Sequence, residues 1–156
     1  MNKKETIKGT TYDFGNGPVP AHQHKNPDGS MGGWVANTAT VKGTAYIGED
    51  AKVSDNAVVA DDAQVSDYAL VYGDAQVSGK ASVYGYAQVF GNAWVHGDAQ
   101  VYGYALVYGD AEVYGYAKVF GNAWVYGNAQ VFGNALVADD TWVEGNTKLS
   151  SGIHKE

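Results

Sequence analysis

The chain of 156 residues contains no cysteine and no arginine. Without cysteine there is no disulfide framework, and redox chemistry says nothing of the compartment. Arginine is the preferred residue for bidentate contacts to phosphates and base edges. All ten basic residues are lysine and the net charge is −7. That balance argues against a nucleic-acid partner. No run of about 18 apolar residues occurs, so no membrane-spanning helix and no membrane partner are expected. The opening MNKKETIKG lacks the apolar region of a secretory signal. A cytoplasmic location is the resulting expectation. Histidine is scarce, four in all, and the three prolines fall before Asp28.

What is present is a short repeat. Twenty hexapeptides run unbroken from Gly33 to Gly152, each close to A-x-V-x-G-x. The first position is Ala in seventeen of them, and the third is Val except at Ile47 and Leu149. A fixed period sustained this long marks a repeat architecture. In Ala75-Gln76-Val77-Ser78, alternation puts Ala75 and Val77 on one side and Gln76 and Ser78 on the other. Gly79-Lys80 then turns the chain, because Gly accepts positive φ at a tight corner. Asn37, Glu49, Asp55, Asp61, Asp67, Asp139 and Ser151 replace Gly at the fifth position. Asn and Asp tolerate the left-handed region best among non-glycine residues, whereas Glu49 fits poorly.

Four strand residues and a two-residue corner cannot close a hairpin meander with every Ala and Val inside. They can close a three-sided coil of 18 residues per turn. The sixth positions sort by that period. One column reads Thr38, Asn56, Asp74, Asn92, Asp110, Asn128 and Asn146; another stacks Tyr68, Tyr86 and Tyr104. The expected fold is all-β, a single-stranded parallel β-helix of between six and seven coils, roughly 30 Å long. Three segments are expected: 1–32 as an N-terminal cap, 33–152 as the repeat, and 153–156 as a tail.

An aliphatic residue followed four places later by a small one, as in Val71 with Ala75 or Val119 with Ala123, resembles the left-handed parallel β-helix of the hexapeptide-repeat superfamily. The resemblance covers about three quarters of the chain. Left-handedness comes from this resemblance and not from the period. The chain looks most similar to uncharacterised repeat-only members. Acyltransferase members add a catalytic His, a protruding loop and a C-terminal helical segment. Here the repeat has no insertion, the tail SSGIHKE is short, and His96 is the one histidine in the coil. Carbonic anhydrases of the γ class need three coil histidines. The resemblance also suggests a trimer.

No catalytic residue and no cofactor is assigned. Residues 69–98 match 99–128 at 21 of 30 positions, and His96 pairs with Tyr126 in that alignment. His96 therefore reads as a surface residue of an aromatic column. Thirty residues are five units, so the duplication moves Trp94 and Trp124 to different faces. A groove with one fixed constellation would not survive such copying. His22 and His24 share a side if extended, and with Asp28 they make a conceivable metal site; a cap or loop is the stronger reading. Acidic corners between Glu49 and Asp67 could hold calcium, but solvated turns explain them better.

The strongest functional hint is aromatic. Sorting the outward positions by 18 gathers Leu70, Leu106, Trp124 and Trp142 with Tyr72, Phe90, Tyr108 and Tyr126 on one face. Aromatic residues are enriched and charges depleted in interface cores. The expectation is a non-enzymatic structural or interaction module that self-associates, as dimer or trimer, through these eight residues. The alternatives are an acyltransferase-like enzyme with a site between protomers, and a surface for a glycan or protein partner.

Overall fold

The computed structural model describes residues 10–155; the opening residues that carry the leader expectation lie outside it. Among the described residues the fold is all-β, with no helix. Strand β1 spans Thr11–Asp13, β2 spans Pro18–Lys25 and β3 spans Met31–Ala36. Twenty two-residue strands follow, from Thr40–Val41 to Ile153–His154. Together with β3 they stack as three parallel sheets, each with seven coil strands, so every third strand pairs. Gln76 lies beside Val58 and Trp94, and Val77 beside Val59 and Val95, a register of 18 residues. The coil is thus the expected three-sided solenoid, with seven turns.

Each hexapeptide from Ala51 to Asn134 donates three backbone bonds to the coil above. Gln76 N–H bonds Ala93 C=O at 2.9 Å, Ser78 bonds Val95 at 3.0 Å, and Lys80 bonds Gly97 at 2.7 Å. This ladder satisfies the peptide groups that a two-residue strand could not satisfy alone. Inside it, every inward Ala and Val from Ala51 to Val137 is fully buried. Each buried Val contributes on the order of 1.5–3 kcal/mol, and the total accumulates coil by coil.

The corners are left-handed as expected. Corner glycines from Gly43 to Gly145 have φ between 61° and 70°, and Asp55, Asp61, Asp67 and Asp139 have φ between 54° and 59°. Asn37, Glu49 and Ser151 do not take positive φ, so their corners differ in type. The last corner also runs one residue short: Ile153 pairs with Leu136 and His154 with Val137. Positive φ moves there to Gly152. The four residues read as a tail thus begin with a final rung of the third face.

The N-terminal segment joins the first face. β1 and β2 form an antiparallel hairpin, and β2 pairs with β3. Where β2 does not reach, side chains complete the exposed backbone edge. The buried Asn26 amide accepts from Ile47 N–H at 2.8 Å and donates to Ile47 C=O at 2.9 Å, imitating a strand. The His24 ring nitrogen lies 3.3 Å from Ala45 C=O.

Candidate functional site

The second and fourth residues of each unit point outward, so the 18-residue register brings equal positions into rows. All eight predicted surface residues fall on one sheet, the first face. Its fourth-position rings form a continuous stack. Tyr72 lies 4.8 Å from Phe90, Phe90 4.9 Å from Tyr108, and Tyr108 5.0 Å from Tyr126, with planes within 4°. Trp124 stacks on Trp142 at 5.2 Å and meets Tyr108 edge-on at 6.3 Å. The spacing is that of the strands themselves, so the ladder follows from the coil. Each aromatic pair adds about 0.5–1.5 kcal/mol beyond burial.

From Leu70 to Trp142 this face carries no charged side chain, and Gln88 is its one polar second-position residue. The Tyr72 hydroxyl donates to Gln88 Oε1 at 2.9 Å. The upper end closes with Tyr126 donating to Glu144 Oε2 at 2.6 Å. That bond, with lesser help from burial, pushes the Tyr126 hydroxyl up to about 12. Burial raises Tyr108, reinforced by Glu144, and raises Tyr72, reinforced by Asp55. These tyrosines stay neutral over the physiological range, which keeps the face uncharged.

The other faces carry shorter ladders and charges. The second holds Trp94, Glu112 and Lys148, with His96, Tyr114 and Phe132 stacked at 5.0 and 5.1 Å. The third holds Lys118, with Tyr84, Tyr102 and Phe120 stacked at 4.8 and 5.0 Å. Trp94 and Trp124 therefore stand on different faces, as the duplication length requires. His96 is a rung of its column. Trp94 tilts against it at 4.1 Å, burial lowers its pKa against the pull of Glu112, and its Nε2 has no hydrogen-bond partner.

The N-terminal histidines are separated in their bonding. His22 Nδ1 lies 2.8 Å from Asn37 Oδ1, His24 faces Ala45 C=O, and Asp28 Oδ1 accepts from Ser30. Among the described residues no group of three His, Cys, Asp or Glu is arranged to hold a metal. The acidic corners have a role that sequence reasoning missed. Carboxylates of Asp55, Asp61 and Asp67 accept the N–H of Gly73, Gly79 and Gly85, one coil on, at 3.0, 3.0 and 3.1 Å. The only signal for this was that the three aspartates occupy successive corners of one coil.

Also missed was a cavity of about 510 Å³ between the β1–β2 turn and the first coils of the first face. Phe14, Val19 and Pro20 wall one side, and Leu70 and Tyr72 the other. Nothing periodic announces it, because the turn lies outside the repeat.

Three stretches, 63–79, 87–103 and 129–145, match the family model described as YdcK Beta solenoid repeat. Each begins on an inward Ala and ends on a corner Gly, and the three begin on three different faces. No curated protein matches the chain. The family match and the three parallel sheets fit a hexapeptide-repeat-like, left-handed β-helix repeat protein, and no catalytic subfamily is indicated.

Proposed function

We propose that this β-solenoid repeat protein is a non-enzymatic structural and interaction module whose first face docks the same face of a second copy. One observation carries the reading: an uncharged ring ladder from Tyr72 to Tyr126, flanked by Leu70, Leu106, Trp124 and Trp142. Trp142 is exposed and the other seven are half-buried by their own stacking; a contiguous apolar patch that solvent still reaches marks an assembly surface. A two-fold axis pairs one such patch with itself and needs no second complementary surface. The rigid coil presents the face without ordering cost on association.

Light scattering on the purified protein tests this, with a dimer mass expected at micromolar concentration. Leu106→Glu with Tyr108→Lys places charges at mid-face without touching the inward ladder. That double variant should keep the wild-type circular dichroism and run as a monomer. A monomeric wild type at high concentration would sink the proposal.

A second reading has its own observation. At the far end of the same face, Trp124 and Trp142 with Asn122, Asp140 and Glu144 line an open hollow of about 600 Å³. Aromatic platforms with a polar rim suit sugar rings. Glycan-array binding lost on Trp142→Ala would favour it over self-association.

A further inference from the structure

The fourth-position column of the first face reads Ala36, Ser54, Tyr72, Phe90, Tyr108 and Tyr126. Its rings start at Tyr72, and among the described residues Tyr72 stacks on Phe90 alone. Of the two rungs before it, Ala36 is buried, whereas Ser54 is half-buried and too short to fill the outer space that rings fill farther along. The cavity of about 510 Å³ sits on these two rungs. It is roofed by Phe14, which also packs against the edge of the core. The roof is held in place by its own bonds: Asp13 Oδ1 accepts Gly15 N–H at 2.7 Å and Gly17 N–H at 2.9 Å. Tyr12 stacks on Trp34 at 4.9 Å and pins the hairpin to the face.

The geometry points to a binding slot for a neutral, planar aromatic small molecule that continues the ring ladder on the open side of Tyr72, over Ser54. Its volume suits a ligand of one or two fused rings. Neutrality follows from the two charges on its walls. Lys52 Nζ is placed over the Tyr12 ring at 5.5 Å, and Asp55 accepts Gly73 N–H at 3.0 Å, so both are engaged within the protein. With one charge of each sign on its walls, the slot has no net charge with which to select an ion. Ser54 contributes a hydroxyl to the floor, suited to a hydrogen-bonding edge on the ligand.

The slot shares Leu70 and Tyr72 with one end of the proposed docking face, but the contact between copies centres on Leu106 and Tyr108, so a mid-face variant tests the two ideas separately. The probe is prodan, an uncharged naphthalene ketone whose emission shifts to the blue in apolar surroundings. Saturable binding with a blue shift is expected for wild type. Ser54→Phe puts a ring on the vacant rung and should weaken binding by up to about tenfold, the scale of losing an aromatic stack, with the melting temperature held or raised. Ser66→Phe fills the matching rung before Tyr84 on the third face, which no hairpin covers among the described residues, and should leave binding unchanged. The folded Leu106→Glu, Tyr108→Lys double variant should also bind as wild type.

Absence of saturable binding in wild type, wild-type affinity in Ser54→Phe, or loss of binding in the mid-face double variant would each overturn the slot. If Ser54→Phe fails to fold, Phe14→Ala removes the roof ring instead. Its binding should fall at unchanged circular dichroism, and retained affinity there would overturn the slot equally.

Discussion

The coil 51–68 and the coil 87–104 are the same inside and different outside. Ala51, Val53, Ala57, Val59, Ala63 and Val65 repeat as Ala87, Val89, Ala93, Val95, Ala99 and Val101, all fully buried. Outside, the first has Ser54, Ala60 and Ser66 with aspartate corners; the second has Phe90, His96 and Tyr102 with glycine corners. The backbone bonds are alike in both. Closure of the coil therefore rests on the inward Ala and Val and on corners that tolerate positive φ. Rings are an addition that the coil permits. The corner itself has two solutions. Glycine enters the left-handed region without strain, whereas aspartate bears some strain, which Asp55, Asp61 and Asp67 offset by accepting an N–H from the coil above.

The largest test of the shared interior is Val107→Asp. A carboxylate there meets only Ala and Val, and the change should cost roughly 4 kcal/mol or more. A denaturation midpoint close to wild type would break the claim that the interior closes the coil. The two corner solutions are compared next. Gly103→Val puts a β-branched residue at φ 69°, with its Cβ 2.9 Å from Gly121 N. About 2–3 kcal/mol of destabilisation is expected. Asp61→Ala removes the acceptor of Gly79 N–H but keeps a Cβ at that corner, and should cost about 1 kcal/mol, less than a buried charged bond because the site is exposed. Equal losses in the two variants would erase the distinction between corners.

The smallest effect concerns His96. Burial lowers its pKa in the fold, so the unfolded chain binds more protons as the pH falls below the ordinary histidine value of 6.5. By linkage, stability contributed by neutral His96 is complete above that value and is lost on acidification toward the folded pKa. His96→Tyr restores a neutral ring to the column and should flatten the fall in melting temperature over that window. A variant whose acid profile matches wild type would show that His96 is not the group responsible.

Much of this was legible because the coil converts period into position. The stacking of Tyr68, Tyr86 and Tyr104 at 5.1 Å bears out the sorting of corners by 18. The same arithmetic put Leu70 through Trp142 on one face. It failed where the chain leaves the period. The hairpin reaches the first face through Tyr12 on Trp34 and Phe14 against the core, contacts between segments with no common repeat. Asn26 works through both ends of one side-chain amide, which no spacing reveals. The last corner drops a residue and takes its positive φ at Gly152 instead of Ser151, a local change that the period does not announce. Asp55, Asp61 and Asp67 looked like solvated turns because their acceptor role depends on a glycine 18 residues on.

The central claim is that one interior builds the coil while an 18-residue register builds the docking face. Two deletions separate these directly, read by light scattering on folded protein. Removing residues 87–104 takes out one whole coil and leaves Tyr72 aligned with Tyr108. Removing 111–116 keeps the inward Ala and Val ladder but splits the docking face at its middle, moving Trp124, Tyr126 and Trp142 onto another face than Leu70, Tyr72, Leu106 and Tyr108. Both variants should retain the wild-type circular dichroism. The 18-residue deletion should remain a dimer, and the six-residue deletion should be a monomer. A six-residue deletion that still dimerises, or that unfolds while the longer deletion folds, would contradict the account.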